Sequence, residues 1–175
     1  MGPAMEKTVM FIIRALGLKR LLFGESGKGG AGIFARSNKS GITEFVYRFD
    51  GTIGGNNFCY RVTKKENGAV FGFKSMLYRD LGEAETEADG ELLDRLDKIY
   101  RDLRIAAWNG FSKYNRHIRD GTGFSLSIRF SDGKSLYANG TNAFPPRYGE
   151  FRAAIGELLD PLRDSLIGGP DDGKS

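Results

Sequence analysis

Hydrophobic and polar residues alternate along four short stretches of the chain, and this alternation, with one hairpin return, predicts five β-strands. The stretches are residues 42–50, 58–64, 70–78 and 124–130, and residues 135–140 form the return strand. A period of two places alternate side chains on the same face of a strand, so each stretch has one apolar and one polar face. Asn67-Gly68 and Asp132-Gly133 are hairpin turn signals, because these residue types tolerate the positive φ angles of tight turns.

Apolar residues at helical spacing predict two helices in the same region. The first follows Asp89, a good N-cap, and is expected to end near Asn109-Gly110; the second begins at about Tyr148. The order is therefore β-β-β-α-β-β-α, with hairpins and no βαβ repeat. This order predicts an α+β fold in which an antiparallel sheet of about five strands has helices packed on one face.

A further helix is predicted ahead of this domain. Residues 5–23 combine an apolar stripe with Arg14, Lys19 and Arg20, which makes the segment basic and amphipathic. Such a segment lies on an anionic membrane surface, binds in a partner's groove or packs on its own domain. The expected organisation is an arm and glycine-rich linker at 1–41, one domain at 42–167 and a disordered tail at 168–175.

Composition places the chain among ordinary globular proteins and excludes several classes of site. With 175 residues, 40% of them hydrophobic, the chain can bury a core of its own. The only cysteine, Cys59, excludes an internal disulfide and a cysteine-based zinc site, and the only histidine, His117, excludes a multi-histidine metal centre. No apolar run is long enough to span a membrane. We expect no cofactor and no metal ion.

The formal net charge of +4 is concentrated at the N-terminus. Residues 1–40 carry seven basic and two acidic side chains, whereas the other 135 residues carry nineteen basic and twenty acidic ones. A surface that binds nucleic acid relies on clustered Lys and Arg, so this near-neutral body argues against one. Nucleic-acid binding would require exposed rings, for which Phe45, Tyr47, Phe58 and Tyr60 are the candidates.

One short string, at residues 24–28, is similar in sequence to a phosphate-binding loop. Gly24-Glu25-Ser26-Gly27-Lys28 occurs in the phosphate loop of G-protein α subunits. Here Leu22 replaces the first glycine of that loop, Gly29 replaces the hydroxyl residue that holds magnesium, and no apolar helix follows. We interpret the string as a chance match.

His117 and Asp120 are the candidates for catalysis. His117 could act as a base with Asp120 as its orienting acid and Ser112 or Ser125 as nucleophile, although no nucleophile-elbow motif surrounds either serine. The alternative is an exposed loop histidine.

Cys59 could be a reactive thiolate if Arg61 or His117 approached it, but such a cysteine is more often a small buried apolar residue.

Two further features have structural and functional interpretations. Glu83, Glu85 and Glu87 could bind a hard cation, but they lack the pattern of a calcium loop and are interpreted as part of a solvated linker. Trp108, in the string Trp108-Asn109-Gly110-Phe111, could stack on a ligand, or could pack on the sheet beside a left-handed helix end.

Three strings resemble a domain family found in bacteria that has no assigned activity. They are WNGF at 108–111, DGTGFSLSIRFSDGKSLYANG at 120–140 and FPPRYGEF at 144–151, within a similarity that covers about residues 42–165. The resemblance implies the strand, hairpin and helix order given above and no catalytic residues.

These observations favour a non-catalytic binding or interaction domain over an enzyme. Residues 5–23, with Arg14, Lys19 and Arg20, would contact a protein partner or a membrane surface, and Trp108 is a candidate contact within the domain. The alternatives are a hydrolase or transferase that uses His117 and Asp120, and a nucleic-acid-binding protein. A second copy of the chain, in a homo-oligomer, is a further candidate partner. We expect a cytoplasmic protein, either free or attached peripherally to a membrane.

Overall fold

A computed structural model describes residues 41–51, 57–75, 82–118 and 121–168 of the chain. The chain divides into two units, Met1–Arg36 and Ser37–Ser175, and all described residues belong to the second. The predicted arm, with Arg14, Lys19 and Arg20, lies outside the described residues, and so does Asp120. The predictions made for these residues therefore stay predictions.

The described residues form an α+β domain around one mostly antiparallel sheet. Its seven strands are β1 (Ile42–Asp50), β2 (Phe58–Lys65), β3 (Gly68–Ser75), β4 (Glu83–Ala88), β5 (Ser112–Tyr114), β6 (Gly123–Phe130) and β7 (Ser135–Thr141). They lie in the order β4-β3-β2-β1-β6-β7-β5. Every neighbouring pair is antiparallel except β5 and β7, which are parallel.

The prediction of about five strands was too low by two. β4 lies in the acidic stretch that was interpreted as a solvated linker, so that interpretation is wrong for residues 83–88. In Glu83–Ala88 a charged or polar residue alternates with a small one, which suits a strand at the edge of a sheet, half exposed to water. β5 has only three residues and no apolar alternation, so it leaves no signal in the sequence.

Two α-helices and one short 3-10 helix complete the domain: α1 (Glu91–Asp102), the 3-10 helix Ile105–Trp108 and α2 (Tyr148–Ile167). The predicted N-cap, Asp89, lies one residue before the observed one, Gly90, but its side chain still accepts a hydrogen bond from the first turn, since the amide of Leu92 donates to its Oδ1 at 3.0 Å. The predicted end of the first helix near Asn109 is wrong. α1 ends at Asp102, and Arg104, with φ of 54°, turns the chain into the 3-10 helix.

The two faces of the sheet differ in burial. On β1, Phe45, Tyr47 and Phe49 are buried, whereas the alternate residues are half-buried or exposed. The buried strand residues join the apolar faces of both α-helices in one core, of which Leu96 and Phe151 are central members. The prediction of helices on one face of the sheet is confirmed. We call the opposite face, on which neither described helix packs, the open face.

Candidate functional site

His117 lies exposed in the turn after β5. Its backbone amide donates to Asn115 Oδ1 at 3.1 Å, and no hydrogen bond or ion pair joins its ring to another described side chain. Asp120, its proposed orienting acid, lies outside the described residues. Catalysis by this pair therefore stays a prediction, and the described surroundings of His117 add no group that would orient or activate its imidazole.

The two candidate nucleophiles lie on the open face rather than in a cleft. Ser112 Oγ donates to Asn139 Oδ1 at 3.2 Å, and Ser125 is the cross-strand neighbour of the same Asn139. An activated serine needs a base within hydrogen-bond reach, and the described partner of Ser112 is an amide. The structure brings together two serines and an asparagine, a set suited to hydrogen bonding with a ligand.

Trp108 belongs to the core. Its side chain is only 2% exposed, and its indole Nε1 donates to the carbonyl of Pro146 at 3.2 Å. The ring packs edge-on against Phe151, with centroids 5.1 Å apart, and also contacts Phe124 and Tyr148. A stacking platform needs an exposed ring face, and in this arrangement none is available.

Cys59 lies on the open face between two cations. Its neighbours in register are Arg48 on β1 and Lys74 on β3. Burial raises the pKa of the thiol, and the nearby Arg48 and Arg61 guanidinium groups lower it only in part. A thiol with a raised pKa holds little thiolate at neutral pH and is a poor nucleophile. The approach of Arg61 therefore does not make Cys59 reactive.

The four aromatic residues considered for nucleic-acid stacking are on the covered side of the sheet. Phe45, Tyr47 and Tyr60 are buried, and Phe58 is half-buried against them. Base stacking requires exposed rings beside Lys or Arg, which these rings do not provide.

The open face carries charged side chains on one half and neutral polar ones on the other. The charged half comprises strands β1 to β4 together with Arg129 of β6, and the neutral half presents Ser112, Ser125, Ser127, Asn139 and Tyr137 from β5, β6 and β7. Tyr137 is 55% exposed, which is unusual for a large ring in the middle of a strand. Tyr, Ser and Asn are the residue types that adaptable protein-binding surfaces use most.

Some charges on the open face are paired and others are not. Arg61 bridges Glu44 and Glu83 at 3.4 and 3.6 Å, and Arg129 binds Glu44 at 3.2 Å. Arg48 on β1 and Lys74 on β3 form no ion pair or hydrogen bond among the described residues. The carboxylates of Glu85 and Glu87 on β4 are likewise free of ion pairs within that part of the chain.

The described residues contain no group of three or more His, Cys, Asp or Glu side chains that could hold a metal ion. A shallow depression at one end of β1, β2 and β6 is lined by Thr43, Glu44, Thr63, Lys64, Lys65, Glu66 and Arg129. Two of its charged residues, Glu44 and Arg129, already bind each other. Within the described ranges no helix is both long and apolar enough to cross a membrane.

No protein-family model and no curated protein sequence matches this chain. The resemblance carried by the three strings at 108–151 therefore stays a prediction. The sheet surface is the feature that reasoning from the sequence missed, because it depends on strand pairing, which brings the side chain of Arg61 on β2 to 3.6 Å from that of Glu83 on β4. The alternation of Glu with Ala and Thr from Glu83 to Ala88 was the available signal, since a period of two indicates a strand even without large apolar residues.

Proposed function

We propose that this chain is a non-catalytic interaction domain that binds a partner protein through the open face of its sheet. The observation that carries the proposal is the division of the sheet into two faces. Both described helices pack on one face, and the other presents the exposed ring of Tyr137 on β7 and, on β1 and β3, Arg48 and Lys74, two cations without an ion pair among the described residues. Tyr and Arg are the residue types most enriched at the centres of protein interfaces.

The dimensions of the open face also suit a protein partner. Seven strands spaced about 4.8 Å apart, each roughly seven residues long at about 3.3 Å per residue, give a surface of roughly 700 Å². A standard protein interface buries about 800 Å² on each partner. A small molecule usually binds in a concave pocket that encloses it, whereas the depression on this face, at one end of β1, β2 and β6, is shallow.

Site-specific photo-crosslinking tests this proposal. p-Benzoylphenylalanine is placed at position 137 or 74, in place of Tyr137 or Lys74, in the full chain expressed in cells. The matched control carries it in place of Phe144, an exposed ring that stacks on Tyr148 on the helix side. We expect a discrete crosslinked protein from position 137 or 74 and none from 144. Failure at both open-face positions, or the same product from all three, would overturn the proposal.

The proposal includes a second contact through residues 5–23, which would attach the domain to an anionic membrane surface. Support comes from the sequence, since Arg14, Lys19 and Arg20 accompany an apolar stripe and residues 1–40 contain the whole positive excess. Co-sedimentation with vesicles of phosphatidylcholine, with and without phosphatidylserine, tests this contact. We expect the full chain to bind only the anionic vesicles, and R14E/K19E/R20E to bind neither. Equal, negligible sedimentation of both proteins would favour a protein partner for the arm.

A further inference from the structure

Among the described residues, the outer edge of β4 is an unpaired sheet edge. β4 is the last strand in the sheet order, and its only described neighbour is β3. In an antiparallel pair, alternate residues direct both their N–H and C=O groups away from the neighbouring strand, so a six-residue strand leaves about six such groups free. Free backbone groups in a row form a template for another extended chain.

The side chains of β4 divide by charge between the two faces. Glu83, Glu85 and Glu87 point to the open face. Glu83 contacts Arg61 at 3.6 Å, whereas the other two carboxylates have no ion pair among the described residues. Gly72 is the cross-strand neighbour of Glu85, so β3 offers no side chain there to neutralise it.

We propose that β4 binds an extended segment of a partner protein that carries Lys or Arg at every second position and adds to the sheet as an eighth strand. The inference rests on the proposed function, since it names the chemistry of the partner at the β4 margin of the open face. Main-chain hydrogen bonds supply the affinity in this mode of binding, and alternate side chains supply the specificity. Basic residues of the added strand would lie about 5 Å from the glutamates, the spacing of cross-strand pairs.

The same glutamates disfavour the other occupant of an open edge, which is a second copy of this chain. Pairing of β4 with another β4 would bring two rows of like charge together, and like charges across a strand pair are destabilising. Charged residues on edge strands prevent self-association in many proteins for this reason. The row Glu83, Glu85 and Glu87 therefore selects against a copy of itself and for a strand of opposite charge.

Fluorescence anisotropy with labelled peptides tests the inference on the full chain. The probes are a peptide of alternating Lys and Thr, its counterpart of alternating Glu and Thr, and the Lys-Thr peptide with a central proline. We expect the Lys-Thr peptide to bind at least about tenfold more tightly than either of the others, because proline cannot donate to the ladder. No binding, or equal binding of the proline peptide, would overturn the inference.

Charge reversal sharpens the test. E85K/E87K should reverse the preference, so that the Glu-Thr peptide binds and the Lys-Thr peptide does not; this gain of binding requires a folded protein. E157K, an exposed residue of α2, is the matched control and should leave the preference unchanged. An unchanged preference in E85K/E87K would overturn the inference. If crosslinks form from positions 74 or 137 but the peptides do not bind, the interaction domain stands and only the strand-addition inference fails.

Discussion

Replacing Trp108 by alanine separates its structural role from the role of a ligand contact. The indole is 2% exposed and packs against Phe124, Tyr148 and Phe151, where the 3-10 helix, β6 and α2 meet. Removal of a buried Trp side chain costs about 3–5 kcal/mol, because the lost transfer free energy adds to the cost of the cavity. The released carbonyl of Pro146 belongs to an exposed residue and can be hydrated, so it adds little to that cost.

Urea unfolding followed by far-UV circular dichroism measures this change without relying on the lost tryptophan. With a denaturant slope of about 2 kcal/mol/M, the expected loss lowers the midpoint by about 1.5–2.5 M. The control, Y114A, removes a ring that is 69% exposed on β5 and should change the free energy of unfolding by less than about 1 kcal/mol. A change below about 1 kcal/mol in W108A would refute the structural role and return Trp108 to the candidate ligand contacts.

Three further predictions concern stability. The Tyr47 and Tyr148 hydroxyls form a buried hydrogen bond at 2.8 Å. Y47F and Y148F should therefore each lower the free energy of unfolding in urea by about 1–2 kcal/mol, and Y47F/Y148F should lower it by less than the sum. Additive losses would contradict the hydrogen bond. A Cβ added at Gly140 would overlap the carbonyl oxygen of Ala143 and lie 2.9 Å from a ring carbon of Phe124. G140A should therefore lower the free energy of unfolding by about 1–3 kcal/mol. An unchanged urea midpoint would contradict the close packing. Burial, and then the electrostatic interaction and hydrogen bond with Tyr148, raises the pKa of Tyr47. Burial, and then the hydrogen bond to the Asp160 carboxylate on α2, raises the pKa of Tyr60. Their stabilisation is complete below the unfolded tyrosine pKa of about 10 and is lost as the pH rises above it, so the urea midpoint should fall between pH 9 and 11, and less steeply in Y47F; identical slopes would contradict this linkage.

The strands that form the centre of the sheet could be predicted from the sequence because their two faces differ in polarity. β1 was predicted at its observed bounds, and β6 and β7 within one residue, since large apolar residues alternate along β1 and β6 and a hairpin turn signal precedes β7. The start of α2 at Tyr148 was also predicted. Alternation reports burial directly, and these elements bury one face against the helices.

The two edge strands, β4 and β5, were not predicted, because tertiary contacts rather than local sequence determine their conformation. β4 buries only small residues, and β5 becomes a strand through its parallel pairing with β7, which no local pattern encodes. The early end of α1 depends on Arg104, an arginine with positive φ, a conformation that its residue type does not signal. Prediction from local propensity fails where long-range contacts determine the backbone conformation.

The candidate site was predicted less well than the fold. The sequence offers His117 and Cys59 as candidates because each is a single residue with a reactive side chain. In the structure His117 lies in an exposed turn, and burial raises the pKa of the Cys59 thiol. The open face is instead a property of register, since Arg48, Cys59 and Lys74 become neighbours only after three strands pair. Its charge pattern could not be read before that pairing was known.

The most direct test of the central claim, that this chain works through the open face of its sheet, is the mass of the product crosslinked from position 137. The account predicts a discrete adduct with a partner protein whose yield falls in R48E/K74E, and no adduct from position 144. A chain that gives no adduct from position 137 or 74, or an adduct that is indifferent to R48E/K74E, would contradict it.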